Sequence, residues 1–244
     1  MLTVNVKSDL DKAIRKMGMI GSKQMPYAVM RAINTTAFSV KQAETETIKR
    51  VFDRPTKFTI DSVYWLPGNK KNLTAKVWLK DFAPKGTPAE KYLQAQIFGG
   101  QRNTKRIESL LRRRNILGPN MYVMPGKDMT LDAFGNLPKT HYNKLLAQLK
   151  ANIDTYQNES IASKKRRTKR KGSTGYFIGR VNGSPEPGAV YMAQSGQVKP
   201  VLYFTDNASY TARFKFFDVA QSVIAKNLIR NLEAAWAYAN ATAK

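Results

Sequence analysis

The chain has 244 residues, with 41 Lys and Arg against 17 Asp and Glu, one His and no Cys, so its formal charge at pH 7 is +24. That length can bury a real core, and a composition 42% hydrophobic and 24% charged implies a folded chain. The lack of Cys excludes a disulfide framework, a thiolate metal site and a cysteine nucleophile. A serine-type triad or a two-histidine site would have to share His141, so most hydrolase and metalloenzyme classes are disfavoured by composition alone.

No stretch approaches the roughly 18–20 continuous apolar residues of a membrane-spanning helix. The opening Met1-Leu-Thr-Val-Asn-Val6 lacks the order of a secretory signal, so a soluble protein made in the cytoplasm, without membrane contact, is expected. Alternation of Leu2, Val4 and Val6 predicts a short strand. Ser8, three residues before Asp11, opens a helix reaching about Met19, which Gly21 and Ser22 break. From Pro26 to about Val51, an apolar stripe of Tyr27, Met30, Ile33, Ala37, Val40, Ile48 and Val51 predicts a long helix. The methionines at 17, 19, 25 and 30 read as packing residues.

Two strands are predicted next, Lys57–Trp65 and Leu73–Leu79. In the second, Leu73, Ala75, Val77 and Leu79 face the core, and Trp78 shares the opposite face with Lys76 and Lys80. Thr87-Pro-Ala-Glu90 reads as a helix start with Thr87 as the cap and Gly99-Gly100 as the stop. A basic helix over about Thr104–Asn115, an irregular stretch Leu117–Pro138 and a helix over His141–Tyr156 follow. Asn158–Thr174, with almost nothing apolar, reads as a mobile basic loop. Strands at Tyr176–Val181, Ala189–Ala193 and Val201–Thr205 precede a closing helix from about Tyr210 to Tyr238. This order predicts an α+β fold: one domain over 1–244, an antiparallel sheet packed by the two long helices, and a helical insertion at 83–158.

The strongest chemical signal is Lys164–Lys171, in which seven of eight residues are basic, with no Asp or Glu between Glu159 and Glu186. Lys164, Lys165, Arg166, Arg167, Lys169, Arg170 and Lys171 could neutralise a polyanion or an acidic partner, or could simply solvate a loop. Arg112, Arg113 and Arg114 either extend that surface or complement their helix C-terminus. Tyr176 and Phe177 read as core residues or as stacking platforms. His141 reads as a packing or surface residue. Asp128 and Asp132 read as turn formers or a weak metal pair, and Gly126-Lys127 lacks the Ser/Thr of a phosphate loop. No catalytic residue, metal or cofactor is expected.

Met25-Pro-Tyr-Ala-Val-Met-Arg-Ala-Ile-Asn-Thr-Thr-Ala37, with Ala32-Ile33-Asn34 followed by Ala37, resembles the corresponding helix of tailed-phage minor tail protein Z and related tail-completion proteins. The basic run Lys164–Lys171 and Pro200-Val-Leu-Tyr-Phe-Thr205, leading into the Phe214–Tyr238 helix, are similar to that family's features. The resemblance covers the early helix and roughly the last third of the chain. It implies a structural virion protein at the head–tail junction or tail end, acting as a homo-oligomeric ring against portal, adaptor or tail proteins and packaged DNA. A nonspecific nucleic-acid-binding protein is the alternative from charge. A nuclease built on Asp61, Asp128 and Asp132 is a third reading.

Overall fold

A computed structural model of the chain describes residues 8–20, 22–84, 86–180 and 188–243. The opening strand expected at Leu2–Val6 and the cap expected from the Ser8 side chain lie outside the described residues. The fold is mixed α+β with antiparallel sheets, as the element order implied. The expected single domain with an insertion at 83–158 is organised differently, as two compact units: Met1–Gly100 with Tyr210–Lys244, and Gln101–Ser209.

In the first unit, α1 spans Ser8–Lys16 and α2 spans Met25–Val51. The first of these ends at Gly18 (φ 63°), where Met19 N–H reaches back to Ile14 O and Gly18 N–H to Arg15 O, rather than at Gly21. Pro26 sits in the first turn of α2, where its missing N–H costs nothing. The partner of α2 is α8 (Phe216–Ala241). Ala28, Val29 and Ala32 pack with Leu228, Leu232, Ala235 and Ala239, whereas Ala37, Val40 and Ile48 pack with Phe214, Phe216 and Ala220, so the two helices run antiparallel. Asn231 Nδ2 donates to Thr36 Oγ1 (2.9 Å) across the seam.

Helix α3 (Lys57–Ile60) replaces the first half of the expected Lys57–Trp65 strand. The Thr56 hydroxyl accepts from Thr59 N–H and its carbonyl from Thr59 and Ile60 N–H, so local capping outweighs β-branched propensity there. Strand β1 is Val63–Leu66 and β2 is Lys76–Leu79, paired antiparallel with Val63 opposite Leu79 and Tyr64 opposite Trp78. Val77 and Leu79 are buried as the alternation required, with Tyr64 and Trp78 rings 6.0 Å apart on the other face. Leu73 and Ala75 still pack on the core but lie outside the ladder, because β1 offers only four partners. Helix α4 (Ala89–Phe98) begins after Pro88, not Thr87. Its first-turn Glu90 N–H donates to Lys80 O, which leaves a Thr cap without work, and Gly99 (φ 78°) ends it as expected.

In the second unit, α5 (Arg106–Arg113), α6 (Lys139–Gln148) and α7 (Ile161–Lys169) accompany a four-stranded antiparallel sheet. Its strands are β3 (Tyr122–Pro125), β4 (Gly175–Gly179), β5 (Ala189–Gln194) and β6 (Gln197–Thr205), in spatial order β3-β6-β5-β4. Strands β5 and β6 are joined by Ser195 (φ 51°) and Gly196 (φ 80°), a turn with two left-handed residues that suits a tight hairpin. Strand β3 lies in the stretch expected to be irregular. It is an edge strand, where Pro125 is tolerated, and pairs Tyr122 with Thr205. That pairing ties the middle of the chain to the later strands, so the unit boundary falls at 100/101 and 209/210 and the insertion is not purely helical. Leu110, Leu111, Val123, Leu145, Leu146, Val190 and Leu202 form its core.

Helix α6 stops eight residues before the expected Tyr156. Ala151 N–H bonds to Leu146 O and Lys150 N–H to Ala147 O around left-handed Lys150 (φ 53°), the paired bonds of a Schellman end. Ile153, expected on an apolar helix face, is 62% exposed.

Candidate polyanion-contact surface

The segment expected as a mobile loop at 158–174 carries α7 instead. The Ser160 hydroxyl accepts from Ser163 N–H (3.1 Å), which caps the helix at its start. Glu159 takes Arg167 bidentately, at 2.6 and 3.1 Å, and the Glu159 N–H donates to Ala147 O (2.9 Å). One carboxylate thus neutralises one cation of the run and ties the base of α7 to α6. Gln148 continues the attachment: its Nε2 donates to Thr174 O and its Oε1 accepts from Tyr176 N–H.

Ser163 and Arg167 are partly buried and mark the inward side of α7, whereas Lys164, Lys165, Arg166 and Lys169 are exposed, as are Arg170 and Lys171 beyond its end. At about 100° per residue, Lys164, Lys169, Lys165 and Arg166 sweep an arc of about 200° with no acidic residue in it. Of the seven cations in the run, six face solvent and Arg167 is structural.

Just before α7, the segment 152–158 is held by its own side chains. Asn152 N–H donates to Asn158 Oδ1, Asn152 Nδ2 donates to Gln157 O, and Asp154 Oδ1 accepts from Tyr156 N–H. This scaffold leaves Tyr156 97% exposed, with Ile161 at 86% one residue into α7. The sequence places Tyr156 at the end of a longer helix and Ile161 inside a basic loop, so neither stands out there as an exposed apolar side chain. The signal was available in Asn152, Asp154 and Asn158, residues that favour turns over helix interiors.

The Arg112–Arg114 cluster divides. Arg112 donates through Nη2 to Met121 O (2.6 Å), Nη1 to Thr104 Oγ1 (3.0 Å) and Nε to Gly118 O (3.3 Å). Arg114 Nε donates to Lys150 O (2.6 Å). Arg112 and Arg113 lie in the last turn of α5, where their charge complements the helix C-terminus as expected; Arg112 and Arg114 also bind backbone carbonyls outside the helix, and of the three only Arg113 points its charge into solvent without such a bond.

Tyr176 is a core residue whose burial pushes its phenol up to about 12, and its hydroxyl shares a hydrogen bond with His141 Nδ1. Phe177 is exposed and stacks on Tyr191, with centroids 5.8 Å apart. Asp132 Oδ1 accepts from Phe134 and Asn136 N–H, a turn-forming role. Gly126 is needed for close approach, since a Cβ there would lie 2.7 Å from Pro200 O. Exposed Asp61 pairs with Lys57 at 3.5 Å. Among the described residues no three His, Asp or Glu side chains gather to hold a metal ion, and no helix is long and apolar enough to cross a membrane. In the first unit a cavity of about 360 Å³ is lined mainly by apolar side chains, among them Ile33, Val40 and Leu228, with Asp11, Thr36 and Thr74 also on its wall.

No family model, curated protein or solved structure matches the chain.

Proposed function

We propose that the protein is a non-catalytic structural subunit of a tailed-phage particle, of the tail-completion or neck class at the head–tail junction. In this reading it assembles as a ring and docks through its basic surface on negatively charged portal, adaptor or tail components or packaged DNA. The observation that carries the reading is the work done by the motif that bears the resemblance. Ala32 is fully buried in the α2–α8 seam, and Asn34 clamps the hairpin loop, with its Oδ1 accepting from Gly68 N–H (2.7 Å) and its Nδ2 donating to Gly68 O (3.0 Å). Gly68 sits in a tight place, since a Cβ there would lie 3.1 Å from the backbone at both Asn72 O and Thr74 C and 3.0 Å from Ile33 Cδ1. Helix α8, the other long element in the resemblance, packs on the same stretch. Ala-Ile-Asn thus joins helix, helix and hairpin in one interaction set, so the stretch that carries the resemblance is also a structural junction of the first unit.

Deleting the gene from its phage and imaging the particles tests this. The expected result is filled heads with absent or detached tails. Normal particles with firmly joined tails overturn it. A second reading, a nonspecific nucleic-acid-binding protein, rests on the six solvent-facing cations of 164–171 and predicts DNA affinity that falls steeply with salt.

A further inference from the structure

We infer that α7 and Tyr156 together form a single-strand nucleic-acid contact, in which phosphates run along the cationic arc of the helix and Tyr156 stacks on an unpaired base. The inference rests on reading α7 as the docking surface, and it names that surface's partner.

Charge density comes first. Lys164, Lys165, Arg166 and Lys169 lie within six helical residues, a rise of about 9 Å, or about one positive charge every 2 Å. Nucleic acid carries its charge covalently at comparable density, about one per 1.7 Å for a duplex and one per 3.4 Å for each strand, so charge points to nucleic acid and leaves the choice between duplex and single strand to Tyr156. A folded protein would have to crowd four carboxylates into the same 9 Å, against their mutual repulsion. A second copy of this chain, with 17 acidic residues against 41 basic, is a poor source of such a face.

The second observation is Tyr156. An aromatic ring 97% exposed is unusual, and this one is not on a frayed end: hydrogen bonds from Asn152, Asp154 and Asn158 hold the backbone beneath it. Three residues separate it from the Ser160 cap, at most about 14 Å of chain, a reach of a few nucleotides. Any base offers a π-face, so a stacking platform beside a phosphate track binds without sequence preference. Bases inside a duplex are already stacked, which makes the single strand the better ligand. Ile161 and Ile153 supply apolar surface near the ring in sequence.

The test is fluorescence anisotropy with the full chain, using a labelled 20-nucleotide oligo-dT, a duplex of equal length and polyglutamate as an unlabelled competitor. Y156A is expected to weaken oligo-dT binding about 5- to 100-fold, leave duplex binding unchanged and preserve the salt slope, while Y156F retains wild-type affinity. K165A/K169A is expected to reduce the slope of log affinity against log salt by about 1.4, at about 0.7 per phosphate contact. Because these side chains are exposed, the thermal midpoint should not move, which separates lost contact from lost fold. The inference is overturned if Y156A binds oligo-dT like wild type, if the double lysine variant keeps its slope, or if polyglutamate competes as well per charge as oligo-dT. That last result would assign the surface to an acidic protein. None of these outcomes depends on particle assembly, so failure here and failure of the neck reading remain distinguishable.

Discussion

The two units each bury a glutamate completely and treat it in opposite ways. In the second unit Glu108 accepts from Arg102 Nη2 (2.5 Å) and Nη1 (3.0 Å), from Lys105 N–H (2.6 Å) and from Val123 N–H (2.9 Å). Burial alone would raise its pKa, but Arg102 and the backbone donors of Val123 and Lys105 outweigh that and hold it below the usual carboxylate range. In the first unit Glu44, on α2 among Val40, Thr47 and Ile48, has no partner for either oxygen, and burial pushes it up to about 8. Burial is common to both; what separates a structural anion from a neutral acid is whether donors converge on it. Glu108 staples α5 to β3, whereas Glu44 is a buried acid on α2 with no hydrogen-bond partner for its carboxylate.

Removing the staple has the largest expected effect. E108A leaves Arg102, itself only 10% exposed, without its counter-charge, and should cost about 3–5 kcal/mol in urea unfolding. An unchanged midpoint would show that the four bonds contribute nothing net. With a folded pKa below the unfolded one, the stability that Glu108 supplies is present above the unfolded value and drains as pH falls through the folded value.

Glu44 has the opposite sign. With a folded pKa of about 8 against an ordinary 4.5, the folded state holds a proton that the unfolded state has lost, so wild-type stability should fall as pH rises from 4.5 to 8. E44Q should remove that slope. It should match wild type near pH 4.5 and exceed it by on the order of 3 kcal/mol at pH 7, the window of about 2.5 units at 1.36 kcal/mol each. Parallel pH profiles for E44Q and wild type would mean that Glu44 finds donors in solution.

The smallest effect concerns the basic surface. S160A removes one cap and should raise amide hydrogen exchange in the first turn of α7 roughly 5-fold, the equivalent of about 1 kcal/mol, while α5 and α6 stay unchanged. Exchange already as fast as in an unfolded peptide before mutation would favour the loop reading over a formed helix.

The long helices and the later strands were legible because each carries an apolar period over many residues: 25–51, 216–241 and 189–205. Short elements were not. Lys57–Ile60 has strand-like residues but folds around a Thr56 cap, and Tyr122–Pro125 looks irregular but finds β6 as a partner. The basic run was legible as charge. Its helix was not, since Ser160 is an ordinary serine until Glu159 locks Arg167 and fixes the turn that it caps.

Sequence alone determined the excess charge, the missing thiol chemistry, the amphipathic period of the long helices and the antiparallel α+β class, because all of these follow from residue type and local spacing. Tertiary structure decided which charges remain free. Arg112, Arg114 and Arg167 are spent on carbonyls or on Glu159, while Arg113 and six residues of the basic run face water. It also decided that Glu44 is pushed up to about 8 while Glu108 is held below the usual carboxylate range. The physical reason is that a charge is settled by the donors and acceptors that distant segments bring within about 3 Å, and no local pattern encodes them.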